Sequence, residues 1–225
     1  MEGLVVIAHP DDEVIWTGGL ILRHAEWNWH VLSLCRADDP DRAPRFLRAA
    51  DALGAHPVIT SLDDSPDLAP LSLDLSEITL RIRQLVPSRF DVILTHGLRG
   101  EYTRHPRHEQ VHRAVRMMVD SGELRGELFC FAYQDCGGDC VPTPEPDADI
   151  RIELTPEEFR MKRYIIKEIY GFQEGSFEYN AAGPIEAFHA VSLYRGTLSP
   201  IPASQILLGF GDGVPETTNN ADHGG

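Results

Sequence analysis

Apolar, β-branched runs alternate with amphipathic stretches of helix length over the first two-thirds of the chain. Residues 4–8 (Leu-Val-Val-Ile-Ala) read as a buried strand, and a helical pattern follows near 16–29. The alternation continues with a strand at 30–35, a helix near 42–53 and a short strand at 57–61. A helix over about 73–85, a strand at 91–95, a helix over about 106–120 and a strand at 128–133 complete the series. Continuous apolar strands separated by helices predict an α/β fold: a mostly parallel sheet with helices on both faces.

The last third has a different texture. Residues 135–149 are rich in Gly, Pro and Asp and read as a long loop, of the kind that often serves as a lid or binding loop. Thr155-Pro156-Glu157-Glu158 then opens a helix, with Thr155 as N-cap, Pro156 at the first helical position and acids in the first turn. That helix is expected to reach Tyr170 and stop at Gly171. A further strand fits 187–194, and the polar tail 211–225 is expected to be disordered, leaving 1–210 as a single domain.

Composition narrows the partners. A net charge of −15, with arginines scattered among more numerous carboxylates, speaks against nucleic acid and against an acidic membrane surface. Neutral or cationic small molecules and metal ions remain. No apolar run approaches the ~20 residues of a membrane span, and the N-terminus lacks the basic segment of an export signal, so the chain is expected to be cytoplasmic. Four cysteines make no disulfide framework at this length. Cys35 and Cys130 lie in apolar strand-like runs. Cys136 and Cys140 are spaced for a metal or a disulfide, with a plain loop the favoured expectation.

Two segments carry candidate chemistry. Directly after the first strand comes His9-Pro10-Asp11-Asp12-Glu13, an imidazole and three carboxylates at the carboxyl edge of a parallel sheet, where ligands bind. His and Asp both ligate divalent metals, and Pro10 stiffens the turn. An Asp here can instead merely cap the following helix, although capping leaves His9 and the second acid without a role. No Gly-x-Gly-x-x-Gly stands at this turn, so a dinucleotide site is not indicated. The second segment follows the strand at 91–95 and ends in His105-Pro106-Arg107-His108. With Pro106 opening the helix, His105 and His108 can face one cleft. The run His108-Glu109-Gln110-Val111-His112 also reads as His-Glu-x-x-His, so a helical His108/His112 zinc pair is the rival reading. His96, Glu101 and Arg104 are expected to be loop surface.

Together the segments resemble the PIG-L/LmbE-like family of N-acetylglucosamine-type deacetylases. The match rests on Ala8-His9-Pro10-Asp11-Asp12-Glu13 with Gly18-Gly19, on Thr95-His96-Gly97 and Gly100-Glu101-Tyr102, and on His105-Pro106-Arg107-His108 with Val111. Lys162, Gln173 and Glu186-Ala187-Phe188 add diffuse agreement. The resemblance implies a Rossmann-like sheet and a zinc ion on His9, Asp12 and His108, the same donors also suiting iron(II), cobalt or manganese. It implies Asp11 as general base and His105 as the acid that protonates the leaving amine, with an imidazole pKa near neutrality suited to that task. Arg42, Asp64 and Tyr102 stand at candidate substrate-binding positions. The implied activity is removal of an N-acyl group, acetyl in the first place, from an amino-sugar-containing small molecule, and a homo-oligomer is a family-level expectation. An amidase for larger acyl or thiol conjugates and a non-catalytic metal- or sugar-binding protein are the alternatives. The chain departs from the family in Arg107, where Asp is usual, in the three-residue spacing from Tyr102 to His105, and in Trp16, where small residues are usual.

Overall fold

Leu4, Val5, Val6 and Ile7 are all fully buried. Successive side chains of a strand point to opposite faces, so a run with no polar position needs apolar cover on both. Leu4, Val6 and Ala8 pack with Ile82, Ile93, Val111 and Met118; Val5 and Ile7 pack on the other face with Trp16, Leu20, Phe46 and Phe188.

In the computed structural model, which describes residues 1–64, 75–134, 137, 140–191 and 207–208, this run is β1 (Glu2–Ile7). It pairs in parallel with β2 (Asn28–Ser33) and β4 (Arg89–Thr95); β3 (His56–Ile59) and β5 (Arg125–Phe131) extend the sheet in parallel on either side. β7 (Ile185–Val191) and β6 (Ile150–Glu153) join antiparallel beyond β5, giving the order β3-β2-β1-β4-β5-β7-β6. Helices α1 (Asp12–Arg23) and α2 (Arg42–Leu53) cover one face, α3 (Ser76–Leu85) and α4 (Pro106–Asp120) the other. α5 (Pro156–Tyr164) and α6 (Phe177–Ala181) follow in the last third. The sheet is mostly parallel and Rossmann-like, as expected. Strand order reverses between β1 and β4, and the crevice beyond their carboxyl ends is where such sheets bind ligands.

α2 and α4 occupy the expected segments, and Thr155 caps α5 through a reciprocal bond pair with Glu158. The first helix differs: it begins at Asp12 and ends at Arg23 instead of running to 29. Trp29 belongs to β2, where its ring covers Gly3 so closely that a Cβ there would lie 2.3 Å from it. This cross-strand packing overrides the helical pattern. α5 stops at Tyr164 and continues as a π-helical turn, Ile165–Ile169, before Gly171 (φ +83°) ends it. The short β6 and α6 carry too little periodicity to have been expected. Cys35 and Cys130 are buried free thiols, whereas Cys140 is disulfide-bonded rather than part of a plain loop. The tail 211–225, residues 73–74 and 192–194, and part of 135–149 lie outside the described residues. Among the described residues no helix is long and apolar enough to cross a membrane.

One buried ion pair locks α1 against the antiparallel edge. Lys162 Nζ donates to Glu186 Oε1 at 2.6 Å, and the two side chains are fully buried. The Glu186 carboxylate also accepts the N–H groups of Gly19 and Leu20, each at 2.8 Å. Gly19 leaves room for the Leu154 side chain, which a Cβ there would meet at 2.3 Å and have to displace. Removing one partner of a buried pair strands the other charge. Lys162→Ala is therefore expected to cost about 3–5 kcal/mol in urea unfolding; a loss near zero would show that Glu186 does not need its cation.

Candidate active site

The turn after β1 holds an unusual backbone. Asp11 has φ +112°, a region that side-chain-bearing residues adopt at a cost of about 1–3 kcal/mol. Its N–H donates to Glu13 Oε2 at 3.0 Å, and Glu13 Oε1 in turn accepts the Tyr170 hydroxyl at 2.5 Å. Tyr170 sits directly after the π-helical turn, an irregularity that often occurs at functional sites. Burial pushes the Glu13 carboxyl up to about 8. Asp11 makes no side-chain cap to α1; its Oδ2 accepts Arg42 Nη1 at 2.8 Å instead. Helix capping is not what this aspartate does.

Three donor atoms converge beside it. His9 Nδ1 lies 3.1 Å from His108 Nε2, and Asp12 Oδ2 is 3.5 Å from each. Zinc binds N and O ligands at about 2.0–2.1 Å with tetrahedral geometry, which separates neighbouring donors by about 3.3 Å. The triangle therefore has the size of one face of a zinc tetrahedron, with the fourth direction left for water or substrate. Burial opposes a charge on His9, yet the carboxylates of Asp12 and Asp64 outweigh it and carry the ring up to about 10.

Each donor is oriented from behind, as metal ligands commonly are. His108 Nδ1 bonds Glu101 Oε2 at 2.6 Å, leaving Nε2 to face the triangle. His9 Nε2 meets Asp64 Oδ1 at 3.1 Å. Asp12 Oδ1 accepts Trp16 Nε1 at 3.0 Å, and its Oδ2 accepts the His9 N–H at 2.9 Å. His96 Nε2 is also 3.5 Å from Asp12 Oδ2, but it accepts the Ala8 N–H at 2.9 Å, which occupies its lone pair. Its Nδ1 bonds Glu101 Oε1 at 3.0 Å. Glu101 thus bridges two histidines, and although burial resists ionisation, their charges hold its carboxyl down to about 2.

The sequence expectation of loop surface fails for His96 and Glu101, both fully buried, and holds for the exposed Arg104, which pairs with Glu109. The available signal was their place just after the apolar β4, in a turn whose Gly100 adopts φ +80°. His112 is turned out of the triangle, with Nδ1 2.8 Å from the His96 carbonyl. Arg107 bonds Gln110 and the Asp63 carbonyl.

His105 caps α4 by position and stacks on His108 at 4.3 Å, ring to ring. Among the described residues its buried Nδ1 has no hydrogen-bond partner. Burial, followed by the neighbouring His108 and His9, pushes its ring down to about 4, well below the near-neutral titration expected from sequence. Asp11 moves the other way: burial and the adjacent Asp12 raise it to about 7 against the pull of Arg42. His9, Asp11, Asp12, His105 and His108, with Tyr102, Arg42 and Asp64, line one cleft of about 220 Å³. Arg42 also lies over the Phe172 ring, and Asp64 pairs with Arg36.

Glu101→Gln is expected to weaken zinc binding by about 10–100-fold, whereas His112→Ala leaves it within a few-fold; metal titration of the two variants checks the ranking. Tyr170→Phe keeps the packing but frees Glu13. The expected result is a lower kcat with zinc affinity and KM little changed, and equal falls in all three would instead indicate general loosening.

A family model described as PIG-L, GlcNAc-PI de-N-acetylase, matches residues 4–119. No curated protein matches. Among solved structures, the 4-carboxy-2-hydroxymuconate hydratase GalB of Pseudomonas putida KT2440 is similar over 88% of this chain and 98% of its own, at 20% identity and a TM-score of 0.58. A deacetylase of teicoplanin biosynthesis is similar over 76% and 84%, at 15% identity and a TM-score of 0.57. The N,N'-diacetylchitobiose deacetylase of Pyrococcus horikoshii is similar over 77% and 71%, at 16% identity and a TM-score of 0.52. These likenesses show a shared fold. The family match spans more than half of the chain and contains both motifs and every residue of the triangle, and the chain belongs to the PIG-L family.

Proposed function

We propose that this chain is a metal-dependent N-deacetylase that hydrolyses the N-acyl group, acetyl in the first place, of an amino-sugar-containing small molecule. The observation that carries the reading is the tetrahedron-sized triangle of His9 Nδ1, Asp12 Oδ2 and His108 Nε2, set in one cleft with Asp11 and His105. In this reading the three donors hold a divalent ion, zinc before iron(II), cobalt or manganese. Such an ion supplies Lewis acidity toward an amide oxygen and toward water.

The chain's own residues do the proton work. Asp11, raised to about 7, is basic enough to take a proton from the attacking water, and its Arg42 partner fixes which oxygen is free. An amide nitrogen leaves only once protonated. In this reading His105, whose buried Nδ1 has no hydrogen-bond partner among the described residues, delivers that proton. Water adds to the acyl carbon, the carbon–nitrogen bond breaks, and acetate and a primary amine leave. Tyr102, Arg42 and Asp64 line the cleft where the sugar would be held.

The test is amine release from N-acetylated amino sugars by metal-loaded protein. Asp11→Asn is expected to keep its zinc and lose about 10²–10⁴-fold in kcat. Full turnover in a zinc-replete Asp11→Asn sample would remove Asp11 as the base. If no amine appears but water adds to unsaturated carboxylates, as in the hydratase that shares this fold, the deacetylase reading gives way.

A further inference from the structure

Every carboxylate of the cleft except one stands beside a guanidinium or an imidazole. Arg42 pairs with Asp11 at 2.8 Å and Arg36 with Asp64 at 2.9 Å. Asp12 faces His9 and His108, the donors of the triangle. Glu178, on α6, lines the same cleft and is half-buried. Among the described residues no cation pairs with its carboxylate and no donor bonds it.

α6 is held firmly enough for that carboxylate to have a defined place. Phe177 packs on the Tyr102 ring at 4.3 Å, which ties α6 to the loop before α4. Ser176 Oγ accepts the Tyr179 N–H at 3.2 Å, and Arg163 lies over the Tyr179 ring at 4.1 Å. The cleft wall therefore offers aromatic surface beside a carboxylate that has no cation against it among the described residues. Aromatic surface suits the C–H face of a sugar, while a carboxylate accepts from hydroxyl or ammonium groups and repels anions. The net charge of −15 acts in the same direction at longer range.

We infer that Glu178 is a specificity-determining residue of the deacetylase proposed above, an inference that rests on that reading. It selects amino sugars that present a hydroxyl or, more strongly, a second free amino group away from the scissile acetamide, and it turns away those that carry a phosphate instead.

The experiment compares kcat/KM for amine release by zinc-loaded protein on two probes: chitobiose with one acetamide and one free amine, and N-acetylglucosamine 6-phosphate. N,N'-diacetylchitobiose serves as the uncharged reference. The wild-type protein is expected to favour the amine-bearing probe over the phosphorylated one by on the order of tenfold, because attraction and repulsion both contribute. Glu178→Gln is expected to remove most of that ratio, and Glu178→Lys to invert it. A ratio that neither variant moves, with amine still released, overturns the role of Glu178 and leaves the deacetylase standing. No amine from any of the three probes overturns the reading beneath it.

Discussion

The parallel pairing of β1 with β4 decides whether this chain has a site at all. Val5 lies opposite Leu94 and Val6 opposite Thr95, and the Thr95 hydroxyl donates to the Val6 carbonyl at 2.9 Å. Past the last pair, the Ala8 N–H reaches His96 Nε2 at 2.9 Å, so the contact between the strands continues into their loops. A slip of one residue would move His9 by about 3.3 Å along the strand, as far as the donor atoms of the triangle now stand from one another. It would also turn Leu4, Val6 and Ala8 onto the wrong face. Burial of β1 on both sides and geometry at its end are thus enforced by the same register.

That register gathers several carboxyl groups into a small volume, and their surroundings drive them apart. Glu101, between two histidines, is held down to about 2, and Asp64, beside His9 and Arg36, also to about 2 against the effect of burial. Asp11 and Glu13, with burial dominant and acids adjacent, rise to about 7 and about 8. Groups that stay ionised can orient ligands, and groups that take up a proton near neutrality can exchange one. A fold separates acid–base tasks in this way. The left-handed backbone of Asp11 belongs to the same design, since it points one carboxylate at Arg42 while the next, Asp12, faces the histidines.

Support for the site comes from far along the chain. Tyr170 reaches Glu13 from beyond a π-helical turn, and Lys162 and Glu186 clamp α1, the helix that begins with Asp12. The family match ends at residue 119, yet these three residues lie outside it and brace the first motif. The cleft is a joint product of the parallel core and the antiparallel edge.

Much of this was written in local pattern. The apolar runs of β1 and β4 announced a doubly covered parallel sheet, Pro106 and Pro156 marked helix starts, and His9, Asp12, His105 and His108 stood out because polar residues of those types at strand ends serve no packing purpose. Such signals span a few residues and are legible one at a time. The partners that give the site its properties were not legible. Glu101 and His96 looked like loop surface until the turn after β4 folded them under His108, and Trp16 was only an oversized residue until its indole met Asp12. His105 lost its near-neutral titration to burial and to neighbouring rings. Sequence determined which chemical groups are present and which strand ends carry them. Tertiary structure alone decided their distances, burial and electrostatic company, because those depend on residues about a hundred positions apart meeting across a sheet.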